Sequence, residues 1–294
     1  MDEKIVINAP AKLNLFLKVV GKRPDGYHDI ETLFEKITLF DKITLKKSKK
    51  GIELSCSDAN LPTGEENLAY RAAALIKDKT GLSPGVKIEI DKSIPIGAGL
   101  GGGSSDAAAV LVGMNRLYGL GLLQAELVGM AGELGADVPF FIYDNSWAVG
   151  RERGDKLESI KAPVKIWHVL IASDFSLSAK DAYLWKDKST EEPGADIGKS
   201  LDALKRGDIN SLCENLYNDL EGASFEKDGS IKELKDRLVE YGAKGAAVTG
   251  SGPVVYGIVE TEEEVNRLKV KIEKKRLDTA GRYKIYAVST LNNN

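Results

Sequence analysis

The chain has 294 residues, of which 43% are hydrophobic and 29% are charged, and its formal net charge is −3. This length is comfortable for two domains, and the composition is that of an ordinary soluble globular protein. The slightly acidic balance provides no overall basic field for nucleic acid or anionic lipid, so we expect small molecules as partners and neither nucleic acid nor a membrane.

Cysteine usage and the N-terminal sequence bear on the compartment. Cys56 and Cys213 are far apart and form no Cys-x-x-Cys pair, which favours a reducing environment. The opening residues, MDEKIVINAP, lack the basic and apolar regions of a signal peptide. No apolar run approaches the ~18 residues that a membrane span needs. We therefore expect a cytoplasmic protein.

The first half of the chain shows strand patterns followed by helix patterns. Strand-like alternation extends from Ile5 to Leu54, where AKLNLFLKVV places leucines on one face and Lys12, Asn14 and Phe16 on the other. The sequence NLAYRAAALIKDKTG predicts a helix that a glycine ends. The strand VKIEI then leads into a glycine-rich segment, and SSDAAAVLVGMNRLYGL and LLQAELVGMAGELG predict two further helices.

The second half begins after a polar segment, Arg151 to Pro163, which we take as the domain boundary. The predicted domains are residues 1–160 and 161–294. KIWHVLIA and YKIYAVST read as strands, and GAAVTGSGPVVYGIVE as two strands around a Gly-Ser-Gly turn. Thr261 and Glu264 have the spacing of a capping box at the start of a helix. Because strands and helices interleave without regular β-α-β spacing, the predicted fold class is α+β.

The segment IPIGAGLGGGSSDAAAVL, from Ile94 to Leu111, places many glycines directly before a helix. Glycine has no Cβ, so its backbone N–H groups can approach a ligand closely and its φ can be positive. The helix start adds unpaired N–H donors and the positive end of the helix dipole. Together these features predict a binding site for an anion, and the usual anion is phosphate.

Two common phosphate loops do not fit this segment. Gly97, Gly99 and Gly102 satisfy G-x-G-x-x-G, but a Rossmann loop also needs an acidic residue about twenty positions on, at the end of a second strand, where this sequence continues as helix. A Walker A loop needs a lysine after its last glycine, whereas Gly103 and Ser104 follow here. A flexible turn with tight helix packing remains the structural alternative.

The glycine segment resembles the phosphate-binding motif of the GHMP kinase superfamily, the galacto-, homoserine, mevalonate and phosphomevalonate kinases and their relatives. Three further segments carry the resemblance in the same order: APAKLNLFLKVVGKRPDGYHDIETLF before it, and LGADVPFFI and AAVTGSGPVVYG after it. The resemblance implies a two-domain α+β kinase. Its N-terminal domain would be like domain 2 of ribosomal protein S5, and a ferredoxin-like C-terminal domain would complete the substrate cleft.

The segment PDGYHDIETLF is similar to the branch of the superfamily that acts on a cytidine diphosphate-linked sugar alcohol in the non-mevalonate route to isoprenoid precursors. The resemblance implies direct in-line transfer of a phosphoryl group from ATP to the 2-hydroxyl of the erythritol unit. It implies ATP and Mg²⁺ as cofactors. No protein ligand for the metal stands out, so we expect the phosphates and water to hold it.

Two residues match the superfamily's catalytic positions. Asp137 matches the catalytic base, and Lys12 matches the lysine beside it. On the sequence alone, Asp137 is also a good helix cap and Lys12 an ordinary exposed lysine on a half-buried sheet. A neighbouring cation favours an ionised carboxylate, and a positioned base is typically worth ~10²–10⁴ in rate. The resemblance favours the catalytic interpretation of both.

The resemblance also assigns the acceptor site. Asn14 is expected to bond the substrate near the reacting end. Tyr27 and His28 follow the turn signal PDG and are expected to stack on the cytosine and read its edge. Tyr183 falls where a second aromatic across the base is expected. His168, inside an apolar strand, is assigned to the core.

ATP is assigned by resemblance to the glycine segment. Ser104 and Ser105 are good helix N-caps and are also candidates for a hydroxyl on the phosphates. Asn67 and Lys92 are expected on the adenosine side. The full set expected around the phosphates is Pro95, Gly97, Gly99, Leu100, Gly101, Gly102, Gly103, Ser104 and Ser105.

A second small-residue turn, Gly250, Ser251 and Gly252, is expected near the substrate's phosphates, with a plain hairpin turn as the alternative. The chain departs from the family pattern at Ala179, where threonine is usual, and it has Asp106 where some relatives have asparagine. The rival functions are another kinase of the superfamily, such as mevalonate or homoserine kinase, and a nucleotide-binding sensor that has lost catalysis. Retention of a lysine and an aspartate at the catalytic positions speaks against the sensor.

Overall fold

The computed structural model describes residues 4–189, 194–275 and 283–292. Up to residue 160 the elements are β1 (Lys4–Lys22), β2 (His28–Ser48), β3 (Ile52–Cys56), α1 (Leu68–Thr80), β4 (Gly85–Asp91), α2 (Gly102–Tyr118), α3 (Gln124–Leu134), α4 (Val138–Ile142), β5 (Trp147–Arg151) and β6 (Lys156–Ile160). They continue with β7 (Trp167–Ser173), α5 (Ala179–Lys186), α6 (Ile197–Arg206), α7 (Ile209–Glu214), β8 (Tyr217–Asn218), α8 (Glu221–Lys227), α9 (Ser230–Glu240), β9 (Gly245–Val248), β10 (Val255–Val259), α10 (Glu262–Lys274) and β11 (Tyr283–Ser289). The predicted α+β class is confirmed.

The chain divides into two compact units, each assembled from separated stretches. The first contains the residues up to Ala11, Leu39–Pro95 and Gly101–Asp144. The second contains Lys12–Thr38, Ile96–Leu100 and the chain from residue 145 on. The long strands β1 and β2 supply residues to both units, so the division by contacts does not coincide with a single cut after residue 160.

In the first unit, β4 is the central strand of a mixed sheet. It runs antiparallel to the C-terminal part of β2, with Lys42 opposite Asp91, and parallel to β3. Alternate residues along these strands are fully buried, as expected for a sheet with one face in a core. These residues are Ile43, Leu45, Val86 and Ile88.

The helices of the first unit pack on one another. α1 contacts α2 and α3, and α2 contacts α4. α1 begins after Asn67, whose side chain accepts a hydrogen bond from the Ala69 N–H, and ends at Gly81 with φ 66°. The predicted glycine stop is therefore confirmed. Small side chains bring α2 close to the sheet, and at Gly113 there is no room for a side chain because Leu45 and Ile7 occupy the space.

In the second unit, the C-terminal part of β1 and the N-terminal part of β2 pair with short strands. β8 lies parallel to β1, and β5 lies antiparallel to β2 and to β6. The alternation predicted for β1 is present, but both of its faces are buried: Leu13 and Phe16 are both fully inaccessible, and Lys12 is only 4% exposed. The alternative of an exposed lysine on a half-buried sheet is therefore wrong.

The second unit also contains a four-stranded antiparallel sheet of order β11-β7-β10-β9. The predicted turn between two strands is confirmed, since Val248 of β9 lies opposite Val255 of β10. α9 and α10 pack their apolar faces onto this sheet. Thr261 and Glu264 form the predicted capping box of α10. Of the helices in the three described ranges, none is both long and apolar enough to cross a membrane.

Two helical glycines give a matched test of this packing. We expect Gly113→Ala to destabilise the protein by about 1–3 kcal/mol, because the added methyl overlaps the buried Leu45 side chain. Gly129→Ala in α3, where nothing lies within 4 Å of the added carbon, should instead stabilise it by about 0.5–1 kcal/mol through helix propensity. Urea unfolding measures both; destabilisation of equal size would contradict the packing described.

Candidate active site

The glycine segment adopts the backbone that its sequence predicts. Gly97, Gly99 and Gly101 have φ values of 64°, 75° and 69°, in the left-handed region that favours glycine. A backbone that alternates in this way turns successive N–H groups towards one side and forms a concave anion site. α2 follows at Gly102, and its N-cap is Gly101, which has no side chain to bond the first N–H groups. These donors fit a phosphate chain.

The two serines after the glycines differ in burial. Ser104 is half-buried, whereas Ser105 is 1% exposed. The Ser105 hydroxyl makes no hydrogen bond within the described part of the chain. The N-cap of α2 is Gly101, so the alternative that these serines cap the helix is wrong.

Lys12 lies on β1 against both glycine turns. Its Nζ is 2.5 Å from Asn14 Oδ1 and 5.6 Å from the centre of the Phe34 ring. The Lys12 N–H donates to the carbonyl of Leu100 at 2.9 Å, which ties β1 to the glycine segment. At Gly250 an added Cβ would lie 3.3 Å from the Lys12 ammonium. A buried cation thus stands at the junction of the two turns.

The two glycine turns touch each other through their backbones. A Cβ on Gly99 would overlap the carbonyl oxygen of Thr249, and one on Gly250 would lie 3.1 Å from the carbonyl oxygen of Gly99. Gly250 also has φ 57°. Glycine is therefore required at both positions for steric reasons. The turn 250–252 accordingly does more than connect two strands.

Side chains from neighbouring elements hold the second turn. Asn218 donates through Nδ2 to the carbonyls of Val248 and Gly250, both at 2.8 Å. The Ser224 hydroxyl donates to the carbonyl of Ser251 at 3.3 Å. A Cβ on Gly252 would overlap Ser224. Sequence reasoning missed Asn218 and Ser224, because their only signal is a tertiary contact.

Asn14 is fixed from both its side chain and its backbone. Its Nδ2 donates to Thr32 Oγ1 at 2.7 Å, and the Thr32 hydroxyl donates to the Phe16 carbonyl at 2.7 Å. The Asn14 N–H donates to Thr249 Oγ1 at 2.9 Å, and the Tyr256 hydroxyl donates to the Asn14 carbonyl at 3.1 Å. Burial raises the pKa of Tyr256 well above its usual range, so it stays a donor. The amide oxygen of Asn14 is thus aimed at Lys12.

His168 lies behind this network and is fully buried, as predicted. Its Nε2 is 2.9 Å from Glu35 Oε2, and the Glu35 side chain is also inaccessible. Thr290 donates to the other oxygen of Glu35 at 2.6 Å. The imidazole meets the Tyr256 ring edge-on at 5.9 Å. Sequence reasoning found His168 but not its buried carboxylate partner.

Tyr27 lies between β1 and β2, directly before His28. The predicted turn is present: the Gly26 N–H donates to the Arg23 carbonyl at 3.1 Å, and Gly26 has φ 86°. Tyr27 is 57% exposed, and the Arg153 guanidinium lies 5.4 Å from its ring centre. His28 is not in the turn but begins β2 and is 9% exposed. An exposed ring and a buried imidazole therefore stand side by side.

α5 supplies the partners of His28. Its Nε2 lies 2.7 Å from Asp187 Oδ1, and its ring stacks on Tyr183 with centres 4.7 Å apart and an angle of 13°. Lys22 lies 2.6 Å from the other Asp187 oxygen. Hydrogen bonds to Lys22, which has the larger effect, and to His28 hold the pKa of the Asp187 carboxyl below its usual range. Tyr183 thus covers the imidazole. Ala179 is the first residue of the same helix and follows its N-cap, Ser178.

Asp137 occupies the N-cap position of α4 with φ −83° and ψ −17°, and its side chain makes no capping hydrogen bond. The helix-cap alternative is therefore wrong. Asp137 is half-buried. The helix after it carries Pro139 in its first turn and is buried throughout, which fixes the backbone at the carboxylate.

The residues expected near adenosine are engaged in the first unit. Asn67 accepts from Ala69 at 2.9 Å and donates to the Pro62 carbonyl at 2.8 Å. Lys92 forms ion pairs with Asp41 and Asp106, the latter at 3.0 Å. Direct contact of its ammonium with a nucleoside would require these pairs to open. The described residues contain no group of three His, Cys, Asp or Glu side chains that could hold a metal ion.

Known proteins resemble the chain over nearly its whole length. The GHMP kinases N terminal domain model matches residues 67–145, and the GHMP kinases C terminal model matches residues 200–278. The 4-diphosphocytidyl-2-C-methyl-D-erythritol kinase of Exiguobacterium sibiricum is 39% identical over 90% of this chain and 92% of that protein. The kinase of the same name from Syntrophomonas wolfei is 40% identical over 93% and 95%.

Solved structures show the same relationship. The crystal structure of a 4-(cytidine 5'-diphospho)-2C-methyl-D-erythritol kinase is 34% identical, has a TM-score of 0.80 and covers 98% of this chain and 100% of that one. Homoserine kinase from Cytophaga hutchinsonii also has a TM-score of 0.80 but is only 20% identical over 100% of this chain and 96% of that one, so it shows the fold alone.

The chain is therefore a GHMP kinase, an ATP-dependent small-molecule kinase with the two-domain α+β fold of that superfamily. Within the superfamily, it belongs to the 4-diphosphocytidyl-2-C-methyl-D-erythritol kinase family of isoprenoid precursor synthesis. The resemblance found in its sequence is confirmed.

The contact between the turns can be tested at Gly250. We expect Gly250→Ala to lower kcat/KM at least about tenfold, because the new methyl displaces Lys12 or Gly99, and tenfold corresponds to about 1.4 kcal/mol. Gly119→Ala is the control, since Gly119 has φ 60° and open space around it. It imposes the same backbone strain and should leave kcat/KM unchanged; equal losses in the two variants would contradict a role for the contact.

Proposed function

We propose that the protein transfers the γ-phosphoryl group of ATP to the 2-hydroxyl of 4-diphosphocytidyl-2-C-methyl-D-erythritol, in line and without a covalent enzyme intermediate. One observation carries the proposal: the buried Lys12 ammonium lies beside Asn14 and against the glycine turns at Gly99 and Gly250. Phosphoryl transfer needs mainly positioning and donors around developing charge. This junction combines a cation with a backbone shaped to hold phosphate.

The phosphates of ATP are assigned to the backbone donors of residues 97–103 and to the partly exposed Ser104. Positive φ at alternate glycines and the uncapped start of α2 support this assignment. Mg²⁺ would accompany the phosphates and neutralise their charge. We also propose that Asn67 and Lys92 contact the adenosine. The boundary between the two sequence domains is proposed to lie near residue 160.

Asp137 is proposed as the base that takes the proton of the acceptor hydroxyl. Its side chain is half-buried and is not used to cap the helix that it precedes. A positioned base contributes typically ~10²–10⁴ in rate. Lys12 would polarise the acceptor oxygen and favour its ionised form. Asn14, held by Thr32 and Thr249, would orient Lys12 and the substrate.

Cytosine recognition is assigned to Tyr27 and His28. The exposed ring of Tyr27 offers a stacking face. In the neutral imidazole, donation from His28 Nε2 to the Asp187 carboxylate would leave Nδ1 as an acceptor, which complements the exocyclic amino group of cytosine. Tyr183 stacks on the imidazole and holds the plane of the ring. This arrangement favours cytidine over uridine, which has a carbonyl at that position.

Replacement of the proposed base tests the chemistry. We expect Asp137→Asn to lower kcat by about 10²–10⁴ and to leave the KM for ATP unchanged, because the carboxylate acts on the acceptor proton. Asp78→Asn on the exposed face of α1 is the control for loss of one negative charge. Steady-state kinetics measure both variants, and full retention of kcat in Asp137→Asn would refute the role.

Substrate choice is tested with a panel of acceptors. We expect phosphorylation of the cytidine-linked acceptor and none of mevalonate or homoserine. His28→Ala should raise the KM for the acceptor by about 10- to 100-fold, on the scale of the 1–3 kcal/mol expected of such contacts, without changing the KM for ATP.

The stacking of Tyr183 on His28 is tested with Tyr183→Ala, and Tyr183→Phe is its matched control because it keeps the stacked ring. We expect it to leave the preference for cytidine over uridine unchanged, whereas Tyr183→Ala should weaken that preference. Comparable kcat/KM with mevalonate, or ATP binding without phosphorylation of any acceptor, would overturn the proposed function.

A further inference from the structure

A cluster of three buried charged side chains lies at the base of the glycine segment. Lys92, directly after β4, forms ion pairs with Asp41 of β2 and with Asp106 of α2. The side chains of Lys92, Asp41 and Asp106 are 6%, 0% and 5% exposed. We call these three residues the loop-base cluster. Two carboxylates share one cation there, so the cluster has a net charge of −1 when all three groups are ionised.

The two carboxylates are not equivalent. Asp41 accepts hydrogen bonds from the N–H groups of Ser93 and Ile94 at 2.6 and 2.9 Å. Asp106 Oδ1 is buried and makes no hydrogen bond within the described chain. Burial, opposed by Lys92 and assisted by the charge of Asp41, raises the pKa of Asp106 to about 7. Asp106 is therefore the member of the cluster that takes up a proton.

The surroundings of Asp106 contribute few other charges. The faces that α1, α3 and α4 bury are apolar: Ala69, Ala72, Ala73 and Ile76; Leu127, Met130, Ala131 and Leu134; and the whole of α4. On β3, Cys56 interacts electrostatically with Asp106 and Lys92. Burial raises the pKa of that thiol above its usual value, so it is neutral near pH 7.

The cluster also reaches the start of α2. A Cβ added to Gly102 would lie 3.2 Å from Lys92 Nζ. Gly102 is the first residue of the helix, and its N–H belongs to the donors assigned to phosphate. A change in the charge of the cluster therefore acts on these donors from the protein side. Charges that are buried in this way are poorly screened by salt.

We propose that Asp106 is a proton-linked positioning residue of the nucleotide loop, which binds nucleotide more tightly when its carboxyl is protonated. Protonation removes the net negative charge beneath the helix start, whereas ionisation repels the phosphates that the backbone amides attract. Nucleotide and proton thus favour each other's binding. Asp106 lies behind the loop and touches no reacting group. The inference rests on the proposed binding of ATP along residues 97–103.

The test compares the affinity for ADP, from about pH 6 to about pH 8.5, in the wild type and in Asp106→Asn. The wild-type affinity should fall about three- to tenfold more than that of the variant, the scale of one charge–charge interaction in a partly buried site. At every pH tested, the variant should bind ADP with the affinity that the wild type has at low pH. Comparison in identical buffers cancels the titration of the nucleotide itself, and kcat at saturating ATP should be the same in both.

Two further measurements separate this role from a merely structural one. Asp78→Asn, which removes an exposed charge from α1, should keep the wild-type pH profile. Calorimetry of ADP binding to the wild type near pH 7, in buffers of different ionisation enthalpy, should show proton uptake beyond that of the nucleotide. This calorimetric measurement uses only the wild type, so it does not depend on the folding of a variant.

The titration of Asp106 should also make the free energy of unfolding depend on pH. The pKa of Asp106 is raised above that of an unfolded chain, so the native state retains a proton that the unfolded state loses. Relative to Asp106→Asn, wild-type stability should decline from about pH 4 to about pH 7 and then level off. A structural role alone would produce this decline without any difference in the pH dependence of ADP affinity, and that result would overturn the proposal.

Failure of the inference can be told apart from failure of the proposed function. If both proteins bind ADP with the same dependence on pH, only the role of Asp106 is lost. If ADP does not bind to the wild type, or binds equally well after Gly99→Ala, the assignment of nucleotide to the glycine segment fails and the inference fails with it.

Discussion

The burial of the Lys12 ammonium is the constraint on which the second unit depends. A buried cation is costly unless polar groups surround it. Asn14 supplies a carbonyl oxygen at 2.5 Å, and Thr32 and Thr249 hold Asn14 in place. The space that remains is bounded by two turns whose backbones touch, which excludes a side chain at Gly99 or Gly250. The buried lysine therefore accounts for Asn14 on β1 and, together with the backbone of Gly99, for the glycine at 250.

The two units stabilise their functional groups by different means. In the second unit, hydrogen bonds between neutral groups fix Asn14, and the Asp187 carboxylate fixes His28. In the first unit, the start of α2 lies over an ion cluster of two carboxylates and one ammonium. Homoserine kinase shares the fold at 20% identity, so the backbone alone does not select the acceptor. We propose that selection belongs to side chains such as those at 27 and 28.

Local patterns were sufficient for much of this structure. The alternation in β1, the glycine that ends α1 and the capping box of α10 each depend on neighbouring residues, and all three are present. Residue types in a local pattern do not reveal tertiary partners. Lys92 meets Asp41 and Asp106, which are 51 and 14 positions away, and no spacing rule marks such a cluster. For the same reason the partners of His28 on α5 and the burial of Lys12 were not predicted.

A crystal structure with an unhydrolysable ATP analogue and the cytidine-linked acceptor would examine the role of Lys12 and the glycine turns most directly. We expect the β- and γ-phosphates to accept hydrogen bonds from main-chain amides of residues 97–103, with the Lys12 ammonium beside the acceptor hydroxyl or the transferring phosphate. A phosphate chain held elsewhere, with Lys12 still enclosed by Asn14 and Phe34 and out of reach of either ligand, would contradict it.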